Sequence, residues 1–156
     1  MPLSPLLRVK YIKLDKAERE ARLQMTRLQQ AQRALQQGVE AMNDYRDWRL
    51  NEEALLYLRH QDSLLDRKAL AQWRQQVTTM REKDSTLEQE TEDQRRALEQ
   101  QQERVLQSQQ QLLNAQQQAE KFIQLQKEAF ALQLQVNENK EAAELEEFRN
   151  CTSEST

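Results

Sequence analysis

The chain has 156 residues, a net charge of −3 at pH 7, one glycine and two prolines. A sheet protein needs Gly, Pro and Asn at its turns, whereas the 26 glutamines and the abundant Glu, Leu, Arg, Ala and Lys favour helix. Only 37% of residues are hydrophobic and 5% aromatic, which is too little for a globular core but enough for a narrow apolar seam. The composition therefore predicts an all-α coiled coil.

A first helix is predicted over about residues 5–59. Ser4 followed by Pro5 is a favourable start, because serine accepts hydrogen bonds from free N–H groups and proline fits the first helical position. Eight of ten positions at heptad spacing are then apolar, and Gln24 and Gly38 occupy the other two. The apolar seam positions are Leu14, Ala17, Ala21, Leu28, Ala31, Leu35, Met42 and Tyr45.

A turn is predicted at about residues 60–63, followed by a second, longer helix over about 64–148. Ser63 with Asp66 three residues later resembles a capping box, with Asp in place of the usual Glu. The polar tail, residues 150–156, is expected to be disordered. The whole chain is thus predicted to be one antiparallel hairpin of two helices.

The second helix has its own heptad seam, which is loosest in the middle. Thirteen of its twenty positions are apolar, against about seven expected by chance from the composition. The seam positions are Leu70, Trp73, Val77, Met80, Asp84, Leu87, Thr91, Gln94, Leu98, Gln101, Val105, Ser108, Leu112, Ala115, Ala119, Phe122, Gln126, Ala129, Gln133 and Val136.

The two predicted helices differ in length, at roughly 80 and 125 Å. Folding at the turn places Leu14 near Leu112 and leaves everything after about residue 118 without a partner in helix one. An unpaired amphipathic helix is marginal in water, so this overhang should fray or bind a partner. Residues 1–35 carry a net charge of +5 and residues 128–156 a net charge of −5, which favours an antiparallel hairpin over a parallel dimer.

Residue types for catalysis or metal binding are scarce. His60 is the single histidine, without a ligand array around it, and is expected to be a solvated turn residue. Cys151 is alone in a polar tail, and a chain with one glycine has no Gly-rich phosphate loop. We therefore expect no enzymatic activity and no cofactor. No apolar run approaches a membrane span or a signal sequence, so a soluble cytoplasmic protein is expected.

Two groups of residues are candidates for binding a partner. The first is a basic stripe on helix one, which is open to three interpretations: nucleic acid binding, an acidic protein partner, or a solvated face. DNA is disfavoured because the stripe is sparse and a zipper would need a parallel dimer. The second is an aromatic group close to the turn, which either staples the hairpin or forms a partner surface. The stripe is Arg8, Lys10, Lys13, Lys16, Arg19, Arg22, Arg27 and Arg33, and the aromatic group is Tyr45, Trp48, Tyr57 and Trp73.

Several blocks of the sequence resemble the YscO-type stalk proteins of type III secretion, in the same order along the chain. The opening residues 7–10 and 14–19 are similar to the start of that family. The blocks centred on Trp48 (residues 44–49, then Glu52 and Glu53) and on Trp73 (residues 70–77, then 80–84) are similar to its middle elements, and Phe122 to a later one.

The resemblance implies a two-helix stalk like that of rotary ATPases, which enters a hexameric export ATPase with its terminal end. It implies ATPase contacts by Arg8, Lys10, Lys13, Lys16, Arg19 and Phe122. It implies export-gate contacts by Tyr45, Trp48, Trp73 and Val77. Secretion chaperones are further expected partners, the chain is expected to act as a monomer, and whether it is itself exported stays open. A coiled-coil adaptor without rotary coupling and a structural coiled coil are the alternatives.

Overall fold

The computed structural model describes residues 5–61 and 66–154, and both stretches are almost wholly helical. Helix α1 is Pro5–His60, of 56 residues, and helix α2 is Arg67–Glu154, of 88 residues. The contacts between them run antiparallel, since Gln24 bonds to Gln101 and Tyr45 bonds to Met80. The predicted fold, an antiparallel pair with a longer second helix, is confirmed.

The chain divides into two compact units. The turn-side unit is Glu20–Ser108, and the terminal unit is Met1–Arg19 with Gln109–Thr156. Both helices contribute to each unit. The turn-side unit contains the connection between the helices, and the terminal unit contains both ends of the chain.

The start of α2 differs from the predicted start at about 64. Ser63, the predicted cap, lies outside the described residues, and α2 begins at Arg67. Asp66 is the capping residue, because its Oδ1 accepts a hydrogen bond from Lys68 N at 3.1 Å and its carbonyl accepts one from Leu70 N at 3.0 Å. Asp66 is therefore the N-cap of α2 itself and not the acidic residue three positions after the cap in a capping box.

The end of α2 also differs from the sequence prediction. Helix α2 continues to Glu154, whereas the sequence predicts an end near 148 and a disordered tail from 150. Helix α2 contains no glycine or proline, so no strong helix-breaking residue ends it near 148. The hydroxyls of Thr152 and Ser153 donate to the carbonyls of Arg149 and Asn150 at 2.8 and 3.0 Å, which satisfies part of the terminal backbone.

The heptad seam is buried as far as α2 has a partner. Every predicted α2 seam position from Leu70 to Gln126 is buried or half-buried, whereas Ala129, Gln133 and Val136 are exposed. Lys10 lies against Phe122 in the terminal unit, so the paired part of α2 extends beyond the predicted limit of about residue 118. Unbroken exposure begins at residue 127, not at about 118.

Polar layers interrupt the seam of the turn-side unit. Five buried residues there are polar or charged, at 4–8% exposure, and they are Gln24, Asp84, Thr91, Gln101 and Ser108. Gln101 Nε2 donates to both the side-chain oxygen and the carbonyl of Gln24, at 2.8 and 3.0 Å. Gln24 Nε2 in turn donates to Glu20 Oε1 at 2.7 Å. This paired amide layer fixes the register, because a shift along the seam would leave buried amides unpaired.

Candidate functional site

A buried ion cluster surrounds Asp84 in the turn-side unit. Asp84 is 8% exposed and occupies a seam position of α2. Arg46 Nε donates to its Oδ1 at 2.8 Å, and Arg49 Nε lies 2.9 Å from its Oδ2. The Arg49 Nε has no hydrogen-bond partner, because its N–H is not directed at that oxygen. The contact between Arg49 and Asp84 is therefore an ion pair without a hydrogen bond. Two guanidinium groups of α1 thus neutralise one carboxylate of α2.

Outer carboxylates extend the Asp84 cluster. Arg49 donates to Glu53 Oε1 at 3.0 Å, and Arg81 approaches the same oxygen at 3.4 Å. Arg46 also donates to Glu88 Oε2 at 3.1 Å. The hydrogen bond to Asp84 raises the pKa of Arg46, so its guanidinium stays charged. The cluster is an interhelical clasp built from the Trp48-centred block and the residues after the Trp73-centred block.

Tyr45 and Trp48 cover one side of this clasp. The Tyr45 hydroxyl donates to the carbonyl of Met80 at 3.2 Å, and Lys83 Nζ lies 4.7 Å from the centre of its ring. The ring centroids of Tyr45 and Trp48 are 5.6 Å apart. Burial raises the pKa of Tyr45, with Asp84 and Glu53 adding to the increase and Arg49 opposing it.

The four residues proposed for the export gate have different surroundings. Val77 is 7% exposed and belongs to an apolar cluster with Leu56 and Met80, against which Trp73 packs. Trp48 is 51% exposed. The sequence predicts that Tyr45 lies opposite Val77 or its neighbours, and the Tyr45 hydroxyl bonds to the carbonyl of Met80, three residues further along α2. Trp73 is therefore mainly a staple of the hairpin, while Trp48 presents aromatic surface to solvent.

A groove of about 680 Å³ lies beside Trp48 in the turn-side unit. Its floor includes the apolar side chains of Leu56 and Met80, and its rim is amide and carboxylate. The lining residues are Trp48, Glu52, Leu56, Gln72, Gln75, Gln76, Thr79 and Met80. The two tryptophan-centred blocks thus form opposite walls of one groove.

Sequence reasoning missed the roles of Arg46, Arg49 and Asp84. In the sequence Asp84 is one of the polar positions of the α2 seam. An acid at a seam position needs a buried cation, and two arginines three residues apart, Arg46 and Arg49, stand in the opposite helix. Which arginines of α1 reach Asp84 is shown only by the packed structure.

The basic residues of the terminal unit are largely solvated. Arg8, Lys13, Lys16 and Arg19 are exposed, and Arg19 pairs with Asp15 at 3.0 Å. Lys10 differs from them because it is half-buried, and its Nζ lies 4.8 Å from the centre of the Phe122 ring. The structure thus brings together two of the six residues proposed for ATPase contact, and Lys10 is a packing residue as well as a charge.

The last part of α2, residues 127–153, is exposed along its whole length and is called the α2 tail below. It carries large apolar side chains on a helix that nothing within the described residues covers. Their exposed fractions range from 46% to 67%, and they are Phe130, Leu132, Leu134, Val136, Leu145 and Phe148. Such a surface is typical of a segment that binds another helix.

His60 and Cys151 lie outside the clusters described above. The sequence predicts a solvated turn residue at His60, but His60 is the half-buried last residue of α1, where a basic side chain lies favourably near the helix C-terminus. Cys151 is exposed and free. Across residues 5–61 and 66–154, no group of three or more His, Cys, Asp or Glu residues has metal-binding geometry. The helices described here include none that is long and apolar enough to cross a membrane.

Comparison with known proteins gives consistent results. A Yop proteins translocation protein O from Yersinia pseudotuberculosis serotype I is 35% identical over 79 residues, which make up 51% of each chain. The crystal structure of type III secretion protein YscO from Vibrio parahaemolyticus superposes with a TM-score of 0.86 at 31% identity, covering 92% of this chain and 90% of that one. The family of type III secretion protein YscO matches residues 3–150. The chain therefore belongs to the YscO family of type III secretion proteins.

Proposed function

We propose that this chain is the stalk of a type III secretion apparatus, which inserts its terminal unit into the hexameric export ATPase and couples that ring to the export gate. It promotes assembly or activity of the ATPase from the cytoplasmic face of the apparatus. Family membership supports a role in secretion. The observation that carries the stalk role is the exposed basic face of α1 beside the uncovered α2 tail in one unit.

The chemistry of the terminal unit suits a pore lined by acidic loops. Five basic residues stand within residues 8–19, and four of them are exposed. A basic helix end is attracted into an acidic ring, and that attraction weakens as salt screens it. A ring has room for one such hairpin at its centre, so the active form is a single chain.

Charge reversal of the exposed face tests the ATPase contact. The four exposed residues Arg8, Lys13, Lys16 and Arg19 are changed to Glu, and Lys10 is kept because it packs on Phe122. We expect ATPase stimulation and hexamer assembly to fall at least tenfold, with a loss of their salt dependence. The matched control reverses four exposed basic residues of the turn-side unit that lie outside the basic stripe, Arg67, Lys68, Arg74 and Arg104. Stimulation that survives the first set as well as the second would reject the contact.

The groove beside Trp48 is the proposed contact with the export gate. Trp48 is half exposed and borders the apolar floor, so an apolar side chain of the gate could bury both surfaces. Trp48→Ala should weaken gate binding while the thermal melt stays near that of the parent chain. Leu50→Ala is the control, because Leu50 is 58% exposed and does not line the groove. Unchanged binding by Trp48→Ala would leave Trp48, Trp73, Tyr45 and Val77 as structural residues.

A chaperone-binding adaptor without rotary coupling is the second candidate. The observation that favours it is the α2 tail, whose exposed apolar residues suit a helix-binding groove in a chaperone. The two candidates differ in one measurement. An adaptor would bind secretion chaperones and leave the rate and assembly of the ATPase unchanged, whereas a stalk would change both.

A further inference from the structure

The α2 tail carries an acidic and apolar face. Phe130, Leu134, Leu145 and Phe148 recur at helical spacing along one side and are 46–67% exposed. Glu141 lies on the same side between the two apolar pairs, and Glu138 and Glu144 border it. Over residues 127–153 six glutamates outnumber three basic residues, which gives a net charge of −3.

The start of α1 carries the complementary face in the same terminal unit. Arg8, Ile12, Lys16 and Arg19 follow one another at spacings of four, four and three residues and are all exposed. Ile12, the apolar member of this face, is 66% exposed. Over residues 5–19 five basic residues outnumber two acids, which gives a net charge of +3.

We propose that two copies of this chain form a dimer in which the α2 tail of each lies along the basic face of α1 of the other. The two faces match in parallel at one constant offset of 122 residues. Phe130 then lies beside Arg8, Leu134 beside Ile12, Glu138 beside Lys16 and Glu141 beside Arg19. The first pair repeats a type of contact already present within the chain, where Lys10 lies over the ring of Phe122.

The pairing is self-complementary and closed. A two-fold axis relates the two copies, so the α2 tail of each copy lies on α1 of the other. Both apolar faces and both charged faces are then covered in the same dimer. The second copy is favoured over an unrelated basic helix because the opposite net charges, the exposed apolar residues and the spacing all occur in one chain. The dimer covers the basic face that the stalk needs, so it is a reserve form that does not enter the ATPase ring.

Sedimentation equilibrium of the full chain tests the dimer. The parent chain should dimerise in the micromolar range at low salt and dissociate as salt rises. Glu138→Lys with Glu141→Lys should raise the dissociation constant at least tenfold, and so should Lys16→Glu with Arg19→Glu. In an equal mixture of these two doubly substituted chains the heterodimer has opposite charges at both tail contacts, one reversed and one as in the parent, so it should form although neither chain dimerises alone. That result identifies the pairing rather than net charge.

The matched control reverses two exposed glutamates outside the terminal unit, Glu99→Lys with Glu103→Lys, and should leave dimerisation unchanged. Circular dichroism of every variant verifies that the helices remain. A parent chain that stays monomeric at all concentrations and salts would overturn the proposal, as would a dimer that tolerates both reversals. The ATPase assay separates this result from the stalk role, because Glu138→Lys with Glu141→Lys keeps the basic face intact and should keep full stimulation.

Discussion

Ionisation of the Tyr45 phenol makes the stability of the turn-side unit depend on pH in the alkaline range. Its pKa lies above the ordinary value near 10 because the ring and hydroxyl are partly buried beside Asp84 and Glu53, with Arg49 opposing the shift. The folded state therefore holds this proton more tightly than the unfolded chain does. The resulting stability is fully present below pH 10 and is lost as the pH rises through the folded pKa.

We expect the Tyr45 phenol to ionise at higher pH than an unfolded tyrosine does. The measurement is ultraviolet titration of a chain in which Tyr11 and Tyr57 are replaced by Phe, which leaves Tyr45 as the single tyrosine. The same chain in denaturant supplies the unfolded reference. Coincident titration curves would show that the hydroxyl is freely solvated and not bonded to Met80.

Gly38 is a position at which a substitution should increase the stability of the helix pair. Its Cα faces Gln94, and an added Cβ would contact the side-chain oxygen of Gln94. That oxygen is buried and accepts no hydrogen bond, so rotation of the amide toward solvent costs little. Glycine within a helix is less favourable than alanine by roughly 1 kcal/mol.

Gly38→Ala should therefore raise the free energy of unfolding by about 0.5–1 kcal/mol. Urea denaturation followed by circular dichroism measures the change. The combination with Gln94→Ala, which removes the displaced amide, should gain slightly more. A loss of stability in the single variant that the double variant repairs would mean that Gln94 cannot move away.

At the scale of the helices, the buried amides of Gln24 and Gln101 set the pairing. Polar pairs of this kind cost stability and specify register, because every alternative alignment buries an unmatched amide. The surrounding layers contain Thr91, Gln94 and Ser108, which offer little apolar preference of their own. The register of the turn-side unit thus depends on a few hydrogen bonds and on the Asp84 cluster.

Replacing both Gln24 and Gln101 by Leu should raise the melting temperature and broaden the register. Spin labels at the exposed positions Arg27 and Arg104, with Cys151 replaced by Ser, report the distance between the helices. The parent chain should give one narrow distance distribution, and the Leu variant a broader or doubled one. A distribution that stays narrow would show that the Asp84 cluster fixes the register alone.

The helices and their seam could be predicted from the sequence, because heptad spacing is a local property that can be counted along one chain. The predicted pairing of Leu14 with Leu112 also has nearly the register of the observed pairs, Gln24 with Gln101 and Tyr45 with Met80. The Asp84 cluster was missed because heptad spacing identifies seam positions but not the flanking side chains, here Arg46 and Arg49, that reach across to them. Val77 is buried as a seam position, whereas Trp48 lies off the heptad positions of α1 and is exposed.

At the scale of the whole molecule, stability is unevenly distributed along α2. Side chains over residues 127–153 are exposed, so they contribute almost nothing to packing within one chain. Deletion of residues 127–156 should lower the free energy of unfolding by less than about 1 kcal/mol at concentrations where the chain is monomeric. Phe122→Ala is the comparison, because it removes a half-buried ring under Lys10 and should cost more. A large loss on deletion would show that the tail folds back onto the paired helices.

The antiparallel pairing has a consequence for synthesis on the ribosome. Tyr45 can contact Met80 only after 35 further residues have been synthesised, and Gln24 can contact Gln101 only after 77. Lys10 has no contact with Phe122 until that residue is made. The cost of closing a loop grows with its length, so the helices should zip outward from their connection. The basic start of α1 therefore emerges before the rest of the hairpin and is the last part of it to pair. Until the residues near Phe122 have been synthesised it is an unpaired basic segment, available to whatever acidic surface lies nearby.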